Sequence, residues 1–303
     1  MWNEEQTAEL FISTVLDQAN ALPDYDFELI LVNDGSTDAT GQILLELEGR
    51  DPRIRCLTFS RNFGHQAAVT AGVFESRGEA VIVMDSDLQD PPALIPEMLE
   101  AWVQGSDVVY AVRRIRDGES FFKKATARIY YRLLNSLSNT DIPADAGDFR
   151  LMSRRVVEAL RQLPERDRYM RGLVAWVGFT QTPVYFDRLE RHAGETKYSL
   201  RKMLRLGISG VVGFSDRPLY WAIGLGFGIF FLAMFGLFYV LLSLIFGWGD
   251  LVRGWASMVV VVMFFSAVQL IFLGVIGIYI SKIFTESKNR PIYLIDEKRP
   301  ATK

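Results

Sequence analysis

Two stretches without a single charged residue, 218–249 and 254–281, restrict the architecture before any motif is considered. Each is about 30 residues long, more than the ~20 a helix needs to cross a bilayer. Buried helices of soluble proteins rarely run so far without a charge, so the reading is two transmembrane helices. Arg201, Lys202, Arg205 and Arg217 precede the first span, and Lys282, Lys288, Arg290 and Lys298 follow the second. Between the spans only Arg253 is basic. The positive-inside rule then places both ends in the cytoplasm and a short loop around GWGDLVRGW outside. The expectation is a multi-pass protein whose large amino-terminal part is cytoplasmic.

The remaining bulk properties exclude more than they assign. A formal net charge of −3 gives no basic excess for nucleic acid. The single cysteine, Cys56, has no internal partner for a disulfide and fits a reducing compartment. The opening MWNEEQ is acidic and lacks the apolar core of a secretory signal, so no export of the soluble part is expected.

Ahead of the spans, helical and strand-like patterns alternate. Helical periodicity over 4–19 gives way to FELILVN (27–33), a helix near 37–48 precedes IRCLTF (54–59), and another near 66–76 precedes AVIVMD (80–85). PPALIPEMLEAWVQG then reads as a helix with prolines in its first turn, followed by DVVYAVR (107–113). Near-continuous apolar strands alternating with helices predict an α/β domain with a mostly parallel sheet. The domain is expected over 1–197, an amphipathic juxtamembrane helix over 198–216, the helical pair over 217–284 and a polar tail, broken by an apolar PIYLI, over 285–303. A sheet of this design has a strand ahead of its first helix, so one is expected before Asn3 where the chain shows only Met1-Trp2.

Ligands of such sheets bind at the carboxyl ends of strands. Two acidic motifs lie at ends of that kind and are expected to share one crevice. VIVMDSDLQDPP places Asp85, Asp87 and Asp90 within six residues, and crowded carboxylates repel unless a cation or donors sit among them. Asp85 and Asp87, with the neutral oxygen of Gln89, suit a hard divalent ion such as Mg²⁺ or Mn²⁺ bound to a diphosphate. A polar turn opening the next helix accounts equally well for Asp90. In VNDGSTDAT, Gly35 shapes a turn and Ser36 or Thr37 can cap a helix, whereas Asp34 is free to meet a nucleobase N–H or ribose hydroxyl. His65 and His192 are the only histidines and too far apart for a metal site, and His65, opening a helix, reads as structural.

Taken in order, NEE, VNDGSTDAT, SRNFGHQAAVTAG, VIVMDSDLQDPP and GDFRLMSR resemble the family 2 glycosyltransferases with the GT-A fold. Within that family the chain resembles the polyprenyl-phosphate glycosyltransferases, of the bactoprenol glucosyl transferase type and related to dolichyl-phosphate mannose synthase. The resemblance implies inverting transfer of a sugar from a nucleotide diphosphate sugar to a lipid phosphate on a bacterial cytoplasmic membrane. It implies Asp34, Asp85 and Glu5 in nucleotide-sugar binding, Asp85, Asp87 and Gln89 around Mg²⁺ or Mn²⁺, and Asp148 beside the acceptor together with Asp87 in catalysis. Arg113, Lys123, Arg191 and Lys197 match basic positions around the acceptor phosphate. Where the family reads apolar strand then Pro-x-Tyr-Asn-Glu-Glu, this sequence has Met1-Trp2-Asn3, and the expectation is a start upstream of Met1 or a trimmed chain.

Glucose from UDP-glucose is the expected donor, with formamido-arabinose, N-acetylglucosamine or mannose donors as rivals. A catalytically impaired scaffold for a flippase is the rival from another class. The missing Gln-x-x-Arg-Trp and only two spans argue against a processive synthase, and spans that hold no ionisable residue argue against a transporter. The resemblance also leaves room for a homo-oligomer such as a tetramer.

Overall fold

The computed structural model describes residues 1–87, 89–113, 146–166, 168–186 and 254–296, with isolated positions between 219 and 246. The described residues fall into two compact units, one holding those up to 186 together with 290–296, the other the helical residues up to 289.

In the first unit, α1 (Ala8–Asn20), α2 (Thr40–Arg50) and α3 (His65–Glu75) alternate with β1 (Leu29–Asn33), β2 (Ile54–Thr58) and β3 (Ala80–Val83). A turn of 3₁₀ helix at Pro92–Leu94 leads into α4 (Ile95–Val103) and β4 (Val108–Arg113). After the undescribed 114–145 come β5 (Ala146–Ser153), α5 (Arg154–Gln162), α6 (Met170–Trp176) and β6 (Gln181–Phe186). Every element expected over residues 4–113 is present. The predicted helix over 119–139 and the juxtamembrane helix over 198–216 lie outside the described residues.

The sheet differs from the expected mostly parallel one. β1 and β2 pair in parallel, and β3, β5, β4 and β6 form a four-stranded sheet in that order. β5 runs antiparallel to both its neighbours, while β4 and β6 are parallel. The sheet is therefore mixed. Its reversal has a consequence for chemistry, because an antiparallel β5 brings its beginning to the carboxyl ends of β3 and β4, with Arg150 opposite Val83 and Ala146 opposite Val112. Asp148 thereby arrives at the same edge as Asp85.

The ordering of the strand ends owes much to Met1. Its ammonium donates to the Val32 carbonyl at 2.7 Å and its own carbonyl accepts from the Asp34 N–H at 2.9 Å, the bonding pattern of a parallel bridge to Asn33. Burial lowers the ammonium pKa, partly offset by the fields of Asp34, Glu4 and Asp85.

The core is layered on the two sides of the strands. Ala8, Phe11 and Ile12 of α1 and Leu44 of α2 pack on Leu31 and Ile54. Met98 and Leu99 of α4 pack on Val109, Phe149, Leu151 and Val184. A third cluster sets the small Ala67, Ala68 and Ala71 of α3 against Val32, Leu57 and Phe59. The PIYLI segment of the polar tail belongs to this last cluster. Tyr293 stacks on Phe59 at 5.0 Å between ring centroids, Ile295 bridges Phe59 in antiparallel fashion, and Asp296 N–H donates to the Thr58 carbonyl at 2.8 Å. The tail thus covers the edge of β2, which an unpaired strand would leave open to non-specific pairing.

The second unit contains α7 (Trp255–Ser287), 33 residues and about 50 Å long. Phe264–Ser287 has a mean hydropathy of 2.1 and is the one helix among the described residues long and apolar enough to cross a membrane. Leu270, Ile271 and Leu273 are all exposed and point in three different directions around the axis. The described positions between 219 and 246 are helical as well.

Candidate active site

The amino-terminal motifs interlock. Asn3 Oδ1 accepts from Thr37 N–H at 2.9 Å, Glu4 N–H donates to Thr40 Oγ1 at 2.8 Å, and Glu5 Oε2 accepts from Ala39 N–H at 3.1 Å. Glu5 therefore serves the opening of α2, where an acid satisfies an orphan N–H and suits the helix dipole. Gly35 is required by geometry: its φ is +64° and a Cβ there would stand 2.4 Å from the Arg61 carbonyl carbon. That close approach lets Asp34, almost fully buried, reach the SRNFG loop. Its carboxylate accepts from Phe63 N–H at 2.7 Å and from Gly64 N–H at 3.0 Å. A contact from Asp34 to a nucleotide has only the remaining lone pairs to use.

Holding Gly64 in place positions the next residue, His65. Its Nε2 lies 3.0 Å from Asp148 Oδ2 and 3.8 Å from Asp85 Oδ1. The histidine read as structural thus stands between the two acids of the site. Arg171, at the start of α6, closes the group from the other side with Nε 2.7 Å from Asp148 Oδ1 and Nη2 2.9 Å from Oδ2. Both oxygens of Asp148 are occupied in this fork-to-fork pairing. Burial alone would raise the Asp148 pKa, but the hydrogen bonds from His65 and Arg171 outweigh it and hold the carboxyl far below the usual range. The bond to Asp148 in turn raises the His65 pKa against the effect of burial. Sequence reasoning missed Arg171 altogether, since DRYMRGL carries no recognisable motif and its partner lies 23 residues away in β5.

Asp85 is different. Burial raises its pKa, the His65 field opposes that, and Asp148 and Asp87 add to it. A carboxylate in that position is short of positive charge. In the same loop Asp87 Oδ1 accepts from Gln89 N–H at 3.1 Å, and Gln89 Oε1 is buried with no hydrogen-bond partner. A buried acceptor without a donor, beside two carboxylates, fits a hard cation. His65, Asp85 and Asp148 also offer ligand atoms within 4.8 Å of one another. Asp148 is the weakest of these, because its oxygens are already held by Arg171. Asp85 belongs to that group, and Asp87 and Gln89 follow it in the same loop. Arg113 ends β4, whereas Lys123, Arg191 and Lys197 lie outside the described residues.

Residues 1–161 match the family model described as glycosyl transferase family 2. An uncharacterized glycosyltransferase of Bacillus subtilis is 48% identical over 94% of this chain and 87% of its own. The bactoprenol glucosyl transferase of Shigella phage SfX is 41% identical over 99% of this chain and 97% of its own. A prophage bactoprenol glucosyl transferase homolog of Escherichia coli is 40% identical over 97% and 96%. A Pyrobaculum calidifontis mannosyltransferase solved with GDP-mannose and Mn²⁺ is 15% identical over 70% of this chain and 61% of its own, at a TM-score of 0.47, too low to carry residue roles across. With the family model matched over residues 1–161 and relatives matched over nearly their whole length, this chain belongs to glycosyl transferase family 2.

Proposed function

We propose that the protein transfers a sugar, glucose from UDP-glucose, to polyprenyl phosphate at the cytoplasmic face of a bacterial membrane, with inversion at the anomeric carbon. The observation that carries this reading is the cluster in which Asp85, His65 and Asp148 offer ligand atoms within 4.8 Å of one another, in a chain about 41% identical to bactoprenol glucosyl transferases along nearly its full length. Asp85, Asp87 and Gln89 would hold a divalent ion, which when bound would supply Lewis-acid neutralisation of the charge on the departing nucleotide diphosphate.

The acceptor needs little help. A phosphate monoester has a second pKa of about 6 and is largely ionised at neutral pH, so no base has to take a proton from it. Asp148, clamped by Arg171 and His65, then acts by orienting cations around the acceptor.

The membrane arrangement proposed is a helical pair with both flanks in the cytoplasm. It is supported by the tail: residues 290–296 belong to the same compact unit as residues up to 186. A single crossing would leave those two segments on opposite sides of the bilayer, and an even number keeps them together. Domain limits of 1–197, 198–216, 217–284 and 285–303 and assembly into a homo-oligomer such as a tetramer complete the reading.

The test is incubation of the purified full chain with polyprenyl phosphate and a panel of labelled nucleotide sugars, with Mg²⁺, Mn²⁺ or EDTA. The expected product is polyprenyl-phosphate glucose from UDP-glucose, lost in EDTA and reduced at least 100-fold in Asp87→Ala. Transfer from no donor in the panel rejects the enzyme reading, and full turnover by Asp87→Ala rejects the metal role.

A further inference from the structure

Strand alternation puts Arg150 and Met152 on one face of β5, opposite Leu151, which with Phe149 packs in the α4 core, and Asp148 lies where the register with β4 shifts. Arg150 is only 6% exposed. A guanidinium carries five N–H donors and stays charged in proteins. Among the described residues this one makes a single side-chain hydrogen bond, from Nη2 to the Gly147 carbonyl at 2.9 Å, and no ion pair. Asp148, the acid whose field bears on it most, is already taken by Arg171 and His65. Burial pushes the Arg150 pKa down to about 10, which still leaves it cationic at neutral pH.

A buried cation without its own anion is destabilising unless something else supplies the negative charge. Holding a carbonyl oxygen does not require one, since a neutral amide or a water does that equally well. We propose that Arg150 is the residue that receives a phosphate oxyanion in the crevice during transfer. The planar fork of its unused donors matches two phosphate oxygens, and it lies within the fields of Asp148 and Arg171. This inference rests on the glycosyl-transfer reading above. Two phosphates enter such a site, the monoester of the lipid acceptor and the diphosphate of the donor, and the experiment separates them.

The full chain is reconstituted in lipid nanodiscs as wild type, Arg150→Met and Arg150→Lys. Inorganic phosphate and pyrophosphate are titrated while the melting temperature is followed, and KM is measured for each substrate separately. The expected results are a phosphate-dependent rise in wild-type melting temperature that is absent in Arg150→Met, and a KM for polyprenyl phosphate raised at least tenfold. The nucleotide-sugar KM should stay within twofold, and Arg150→Lys should recover part of the loss. A rise confined to the nucleotide-sugar KM assigns the same role to the donor diphosphate. Unchanged KM values for both substrates, or a wild type that neither anion stabilises, overturns the proposal. If Arg150→Met does not fold, the wild-type titration and Arg150→Lys decide. A wild type that transfers no sugar yet shows Arg150-dependent stabilisation by phosphate removes the functional reading and leaves this one standing.

Discussion

At the scale of single residues the site is governed by one anion, Asp148. It is the ionic partner of Arg171 and His65 and the acid closest in field to Arg150. Replacing it by Asn removes the charge and leaves Arg171 and His65, both partly open to solvent, without their anion, an effect of about 1 kcal/mol or more. Asp148→Asn should therefore lower stability to denaturant as well as transfer rate, and a variant as stable as wild type would show that the pair contributes nothing. Gly35 is constrained by backbone rather than charge. Gly35→Ala meets both a positive φ and the Arg61 backbone, so at least 1–3 kcal/mol of strain is expected, with nucleotide binding weakened because Asp34 can no longer reach the SRNFG loop. Cys56 lies at the inert end: its Sγ donates to the Leu44 carbonyl and burial pushes its pKa up to about 12. At pH 8 roughly one thiol in ten thousand is ionised, so native protein should resist alkylation that proceeds at once after unfolding. Asp34 and Asp85 stood out in the sequence because a carboxylate at a strand end lacks a packing explanation, and Asp148 only through its likeness to the family's motif. His65 and Arg171 did not, since their significance lies in partners 83 and 23 residues away.

At the scale of elements, the hydrophobic pattern announced each helix and strand up to residue 113, but it could not announce direction. The strand residues of β5 are apolar on one face whichever way the strand runs, and its antiparallel entry follows from a sheet partnership that a local pattern does not contain. The same holds for the tail. PIYLI reads as a minor apolar interruption, yet Tyr293 and Ile295 cover the β2 edge beneath the loop that binds Asp34. Tyr293→Ala removes a stacked aromatic pair and part of the Phe59 cluster, an expected loss of about 1–2 kcal/mol. Calorimetry or denaturant melting of the full chain checks this, and an unchanged melting temperature would mean that the tail merely rests on the domain.

At the scale of the whole molecule, the question is whether the chain crosses a bilayer and how many times. Reporter fusions at residue 303 and within 250–253 answer it: the first should report a cytoplasmic location and the second an external one. A carboxyl-terminal reporter on the outer side would contradict the shared unit of tail and domain. Composition and spacing were enough for the one long apolar helix, the alternation of helix with strand, and the acidic ends, because each depends on neighbours a few residues apart and on the free energy of burying apolar groups. Convergence of those ends required the folded chain. His65, Arg171 and Arg150 acquire their roles from through-space electrostatics, whose strength is set by distance and burial, and neither quantity is written in the order of the residues.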